Sequence, residues 1–183
     1  MTRLKIIMMT TLTACLLMTC GSSEDIADNY SSSDLYAIIK PEDTQQIDIA
    51  PGDYVLTLDN IISVNPETGE FKVKNTERID SKAFPIPTQH LILFYSKGCL
   101  LFEAKLNSAI SSYLPSGLTF CHFITDKKGL ARYDLGATHI VNQDGKVEGM
   151  PDEQQQQGMQ RMYKILEKAG KTCRNIDYDF LFE

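Results

Sequence analysis

The chain has 183 residues, 43% of them hydrophobic and 23% charged, with a formal net charge of −6. That length suits one domain able to bury a real core. An acidic chain without a Lys/Arg cluster argues against nucleic acid as a partner.

Arg3 and Lys5 make a basic start, and Ile6 to Thr19 form a largely apolar run. A helix of that length reaches ~21 Å, short of the ~30 Å hydrocarbon thickness, so the run reads as an export signal and not as a permanent span. It ends at LLMTCGSSED, residues 16–25, where a cysteine separates apolar residues from Gly, Ser and acids. The arrangement resembles the lipobox of bacterial lipoproteins, in which the residue after the cut is a cysteine that becomes lipidated. Two cysteines compete for that place. Leu12-Thr13-Ala14-Cys15 fits the Leu-small-small-Cys pattern more closely, whereas Leu17-Met18-Thr19-Cys20 departs from it at Met18 and Thr19. Position favours Cys20, because a cut before Cys15 would leave Leu16, Leu17 and Met18 at the mature end. The rival readings are a plain secretory signal with an incidental cysteine, or an uncleaved anchor.

Cys20 is therefore the expected lipidation site, with residues 1–19 as signal peptide and 20–33 as tether. A single acyl chain binds a bilayer marginally, while two or more, at ~0.8 kcal/mol per buried methylene, hold stably. The resemblance implies a protein anchored to the bilayer of the outer membrane through N-terminal acyl chains, periplasmic or surface-exposed. Ser22-Ser23-Glu24-Asp25 resembles the short acidic signal with which some Bacteroidetes lipoproteins reach the outer face. Removing residues 1–19 from 183 leaves 164 and takes Arg3 and Lys5 away, moving the formal charge from −6 to −8. The tether GSSEDIADNYSSS averages ~20 Å end to end.

Residues 34–183 are expected to form one globular domain. LYAII, QIDIA and DYVLTL are short extended signals separated by Pro41 and Pro51-Gly52. NIISVNPETGEFKVKN reads as a β-hairpin, with Asn65 bracing the turn, Pro66 at its first corner and Gly69 at positive φ. The rival there is a helical turn capped at Asp59. SKAFPIPTQ is a proline-broken connection. Three further hairpins follow. HLILFYS and CLLFEA flank Lys97-Gly98, LTFCHFI and LARYDLG flank residues 126–129, and THIVNQ and KVEG meet at Asp144-Gly145, a dipeptide suited to a type I′ turn. The nearly continuous apolar runs LILFY and LTFCHF predict central strands covered on both faces. A helix then opens with Asp152 as N-cap and Gln155 as its capping-box partner. It carries Met159, Met162, Tyr163, Leu166 and Ala169 on one face and stops at Gly170. The tail NIDYDFLFE alternates Ile176, Tyr178, Phe180 and Phe182 with Asp177 and Asp179, the pattern of a docked strand. The fold expected is α+β, an antiparallel sheet of consecutive hairpins with one long late helix. A β-sandwich or barrel-like body with an added helix is the alternative.

Cys99, Cys121 and Cys173 remain after signal and anchor. An oxidising compartment makes one disulfide plausible, and Cys99 with Cys121 on neighbouring strands is the first candidate pair, each being otherwise a small buried hydrophobe. His90, His122 and His139 do not fall at metal-ligand spacing, so no metal site and no cofactor is expected. Cys121 and His122 point to opposite faces of a strand and cannot act on each other, and Cys99 with His122 depends on the fold. Glu103, Asp134 and Glu148 are the candidates for a hydrolytic carboxylate pair. Asn142-x-Asp144-Gly145 matches part of a calcium loop but lacks the later ligands. No nucleophile elbow, zinc-protease, phosphate-loop or dinucleotide-binding motif is present.

The signal segment, NIISVNPETGEFKV, LLFEAKLNSAISS and MYKILEKAGK together resemble a set of small lipoproteins of Bacteroides-like bacteria for which no active site is known. The resemblance implies an address, and no catalytic residue transfers with it. The expected function is a non-catalytic, membrane-anchored extracytoplasmic module that binds a protein or glycan partner. The alternatives are a binder of small apolar ligands, which needs a closed apolar pocket, and a hydrolase, which needs converging titratable groups.

Overall fold

The computed structural model describes residues 34–43, 48–79, 90–110, 115–126, 128–138, 140–141, 144 and 147–176. Cys20, His139 and the alternating tail from Asp177 onward lie outside them. So does the whole proline-broken connection SKAFPIPTQ.

Eight strands form one open mixed sheet in the order β2-β1-β5-β6-β7-β8-β4-β3. They are β1 (Tyr36–Pro41), β2 (Leu56–Thr57), β3 (Ile61–Asn65), β4 (Glu70–Lys74), β5 (His90–Ser96), β6 (Cys99–Ser108), β7 (Gly117–Thr125) and β8 (Leu130–Thr138). A separate ribbon pairs β9 (Ile140–Val141) with β10 (Val147–Glu148). The helix spans Glu153–Lys168. It is not long and apolar enough to cross a membrane, nor is any other helix among the described residues. The architecture is α+β, and the sheet does not close into a barrel.

Turn chemistry sets most of this. At the β3–β4 turn, Asn65 Oδ1 accepts from the Glu67 and Thr68 amides at 2.9 and 3.3 Å. Gly69, at φ 73°, ends that turn, and a Cβ there would stand 2.0 Å from the Leu135 carbonyl oxygen. Only glycine lets the turn lie against β8. Between β5 and β6, Lys97 and Gly98 both have positive φ, the requirement of a type I′ turn. The Asp126 carboxylate accepts from the Lys128 and Leu130 amides and closes the β7–β8 turn. In the short ribbon Val141 pairs with Val147, so the connection around Asp144 is longer than a two-residue turn.

The sheet is not wholly antiparallel, because β6 and β7 run parallel, with Lys105 beside Thr119 and Ser108 beside His122. QIDIA also contributes no strand among its described residues.

The helix lies across one face. Asp152 caps it, accepting from the Gln155 amide at 2.7 Å while Gln155 Oε1 accepts from the Asp152 amide. At its end the Gly170 amide donates to Glu167 and the Lys171 amide to Leu166, the bond pair of a Schellman motif. Met162 and Leu166 are fully buried, and Glu153, Gln156 and Lys168 are exposed. Beneath it Phe94 stacks on Phe102 and Phe120 on Tyr133, with Phe71 and Phe94 edge-on to Phe120. A smaller cluster of Tyr36, Ile38, Leu91 and Leu93 sits on the opposite face, with Ile49 and Tyr54 against it. Thus β5 is covered on both faces, as its apolar run predicts. β7 is not: it is interior to the sheet, but Phe123 on its outer side is 48% exposed.

After the helix, residues 171–173 run parallel to β3, the Val64 amide donating to Lys171 and the Cys173 amide to Val64. This covers one sheet edge. At the other edge β2 covers only Tyr36 and Ala37 of β1, and Pro41, which ends β1, has no N–H to offer an added strand.

Candidate functional site

The structure separates the groups that the sequence brought into consideration. Parallel register puts Cys121 beside Asn107. Cys99 lies eight residues back along β6, roughly 26 Å away at the rise of a strand. A disulfide needs Cα atoms within ~7 Å, so the Cys99–Cys121 bridge is excluded, and Cys121 and Cys173 are free thiols. The same offset removes any pairing of Cys99 with His122. β6 and β7 are neighbouring strands as expected, but their parallel register sets Asn107 and not Cys99 beside Cys121. Glu103 and Asp134 share a face but lie two strands and several residues apart, roughly 16 Å between Cα atoms, so register does not bring them together. Glu148 belongs to the separate ribbon.

His122 is 5% exposed, with Nε2 2.9 Å from Thr125 Oγ1 and its ring edge-on to Tyr133. It is a core histidine on the helix face. Cys121 projects to the other face. Burial, with the Asp134 charge second, pushes its thiol up to about 11, so at neutral pH it is a thiol and not a thiolate. Among the described residues no three His, Cys, Asp or Glu side chains group as metal ligands.

Two depressions carry polar groups. The first forms where β6 and β7 part. Only Lys105–Ser108 of β6 pair with β7, so among the described residues the earlier half of β6 has no strand on that side. The helix fills the gap from one face. Gln155 Nε2 donates to the Glu103 carbonyl at 3.1 Å, and Gly158 packs so closely that a Cβ would stand 2.0 Å from the Leu101 oxygen. On the other side a cleft of about 300 Å³ remains, with Lys40, Glu42, Glu103, Lys105 and Ser116 around it. The second is a groove of about 350 Å³ between the β3–β4 turn, the helix and residues 172–174. Asn65 Nδ2 donates to the Arg174 carbonyl at 2.7 Å and ties its walls together. Burial pushes the Tyr163 hydroxyl in that groove up to about 12.

The face of β7, β8, β4 and β3 that turns away from the helix carries two adjacent rows of opposite charge. Arg132 and Lys72 are register partners in one, and Asp134 and Glu70 in the next. Arg132 Nε lies 3.1 Å from Asp134 and 3.6 Å from Glu70, and its guanidinium sits 4.8 Å from the Phe123 ring centroid. The sequence shows alternation in each strand but not which strands adjoin, so this constellation was not legible in it. No protein-family model, curated protein or solved structure matches this chain.

Proposed function

We propose that the protein is a lipid-anchored, extracytoplasmic binding module, held to the outer membrane by acyl chains on Cys20 and engaging a protein or glycan partner. The observation that carries the reading is the abrupt change at residues 16–25, from an apolar run to Cys20 and then Gly, Ser and acids. Its likeness to the lipoproteins of Bacteroides-like bacteria supports the same address.

The placement of the reactive side chains supports binding over catalysis. Asp134 and Glu70 are engaged with Arg132, Cys121 holds its proton, and His122 is buried against Thr125 and Tyr133. The cleft beside Glu103 is open and lined by Lys40, Glu42, Glu103 and Lys105, which suit a polar partner better than a small apolar one.

Membrane fractionation of the full chain tests the anchor. The wild-type protein partitions with the membrane, and Cys20→Ser is released or accumulates as unprocessed precursor. An intact mass that places the mature start at residue 21 or later contradicts lipidation at Cys20, and one that starts at Cys15 moves the anchor there.

A further inference from the structure

Two β-bulges fall in one row of the sheet. In β7 the register shifts between His122 and Ile124, so Phe123 and Ile124 both stand opposite Arg132. In β3 it shifts between Ile61 and Ser63, so Ile62 and Ser63 both stand opposite Lys72. Arg132 and Lys72 are themselves partners. Each bulge therefore turns an extra apolar side chain onto the face away from the helix at the same level. Phe123 is 48% exposed, Ile124 39% and Ile62 37%. Ile110, 73% exposed, belongs to the same end, since the neighbouring Ala109 amide donates to the His122 carbonyl. Three of the six exposed large hydrophobic residues described, Phe123, Ile124 and Ile62, thus share one row of one face, and Ile110 lies at the same end of the sheet. Scattered surface apolars need no explanation, but a cluster of this kind marks a contact surface.

The charges identify the occupant. The row through Arg132 and Lys72 is cationic, and the next row, through Asp134 and Glu70, is anionic. An anionic bilayer would meet as many carboxylates as cations here, and a partner of one charge sign would fare no better. A second copy of the same face fits. A two-fold axis lying between the rows and parallel to them sets each cationic row over the anionic row of the other copy. Arg132 then faces Asp134, Lys72 faces Glu70, and both contacts occur twice, as an isologous interface requires. We propose that the protein self-associates through this face, with Phe123 and Ile124 at the centre of the contact.

Two differently tagged full-length copies, co-expressed and solubilised in neutral detergent, provide the test: one tag is captured and recovery of the other is measured. Wild-type copies are recovered together. Lys72→Glu or Glu70→Lys, in both copies, lowers recovery at least about tenfold, as charge reversal at a desolvated pair does. The double variant Lys72→Glu/Glu70→Lys restores it, because exchanging the rows preserves their complementarity. Phe123→Ser lowers recovery, and Leu100→Asp, also exposed but at the far end of the sheet, does not. Thermal melts confirm that each variant folds. Absence of co-recovery in the wild type overturns the proposal. So does indifference to the single reversals, or failure of a folded double variant to regain the contact.

Discussion

On the helix face of the sheet, Phe71, Phe94, Phe102, Phe120 and Tyr133 are at most 2% exposed and pack ring against ring under Met162 and Leu166. On the opposite face of β4, β6, β7 and β8, Lys72, Glu103, Asn107, Cys121, Arg132 and Asp134 are half-buried or exposed, whereas β5 buries Leu91 and Leu93 there. Strand periodicity alone makes this division: a side chain one position along points to the other face. The first face converts apolar area into stability at roughly 25 cal/mol per Å². Arg132 on the second makes partly exposed ion pairs, which typically contribute ~0–1 kcal/mol, so that surface is open to evolve for contact.

The sharpest way to break the comparison is to lift the helix off its face. Gly158 touches the Leu101 backbone oxygen, which cannot yield as a flexible side chain would. Gly158→Val should destabilise the protein by roughly 3 kcal/mol or more, read from its denaturant midpoint. A neutral result would mean that the helix does not sit this close to β6.

A smaller effect is expected where the helix begins. Asp152→Ala removes the acceptor for the Gln155 amide and should cost about 0.5–2 kcal/mol, while Asp152→Asn should recover most of it. Equal losses in the two variants would show that charge, not the cap bond, matters there.

The smallest effect distinguishes the faces by pH. Cys121 on the open face and Tyr163 on the helix hold their protons to about 11 and about 12, above the ordinary 9.0 and 10.0. Between pH 9 and 12 the unfolded chain therefore gives up protons that the folded one keeps, so stability is full below pH 9 and falls as pH rises. Cys121→Ser should remove the part of that fall between pH 9 and 11, and Tyr163→Phe the part between 10 and 12. Melting midpoints that stay flat across this range in the wild type would contradict both shifts.

Local chemistry was legible in the sequence wherever a side chain bonds its own neighbourhood. Asn65 and Gly69, Lys97-Gly98, Asp152 with Gln155, and Gly170 all act within a few residues, and each turn and cap appears where they stand. Burial of Met162 and Leu166 followed from helical spacing. What depends on which strands meet was not legible. The parallel pairing of β6 with β7 carries no local signal, and the Cys99–Cys121 expectation failed with it. The closeness of Gly158 to Leu101 and the alignment of the two bulges are likewise long-range facts. For the candidate site, each strand's alternation fixed that Arg132 and Asp134 share a face, but only the register with β4 brought Lys72 and Glu70 beside them.

The two faces do different work, and paired truncations in the full chain test this most directly. Leu166→Ala beneath the helix should lower the unfolding free energy by ~2–5 kcal/mol, a large share of the ~5–15 kcal/mol that stabilises a domain. Phe123→Ala on the open face removes a larger side chain but should cost less than about 1 kcal/mol when measured at low protein concentration, where no second copy is bound. Equal losses, or a greater loss at Phe123, would contradict the division of the sheet into a structural face and a contact face.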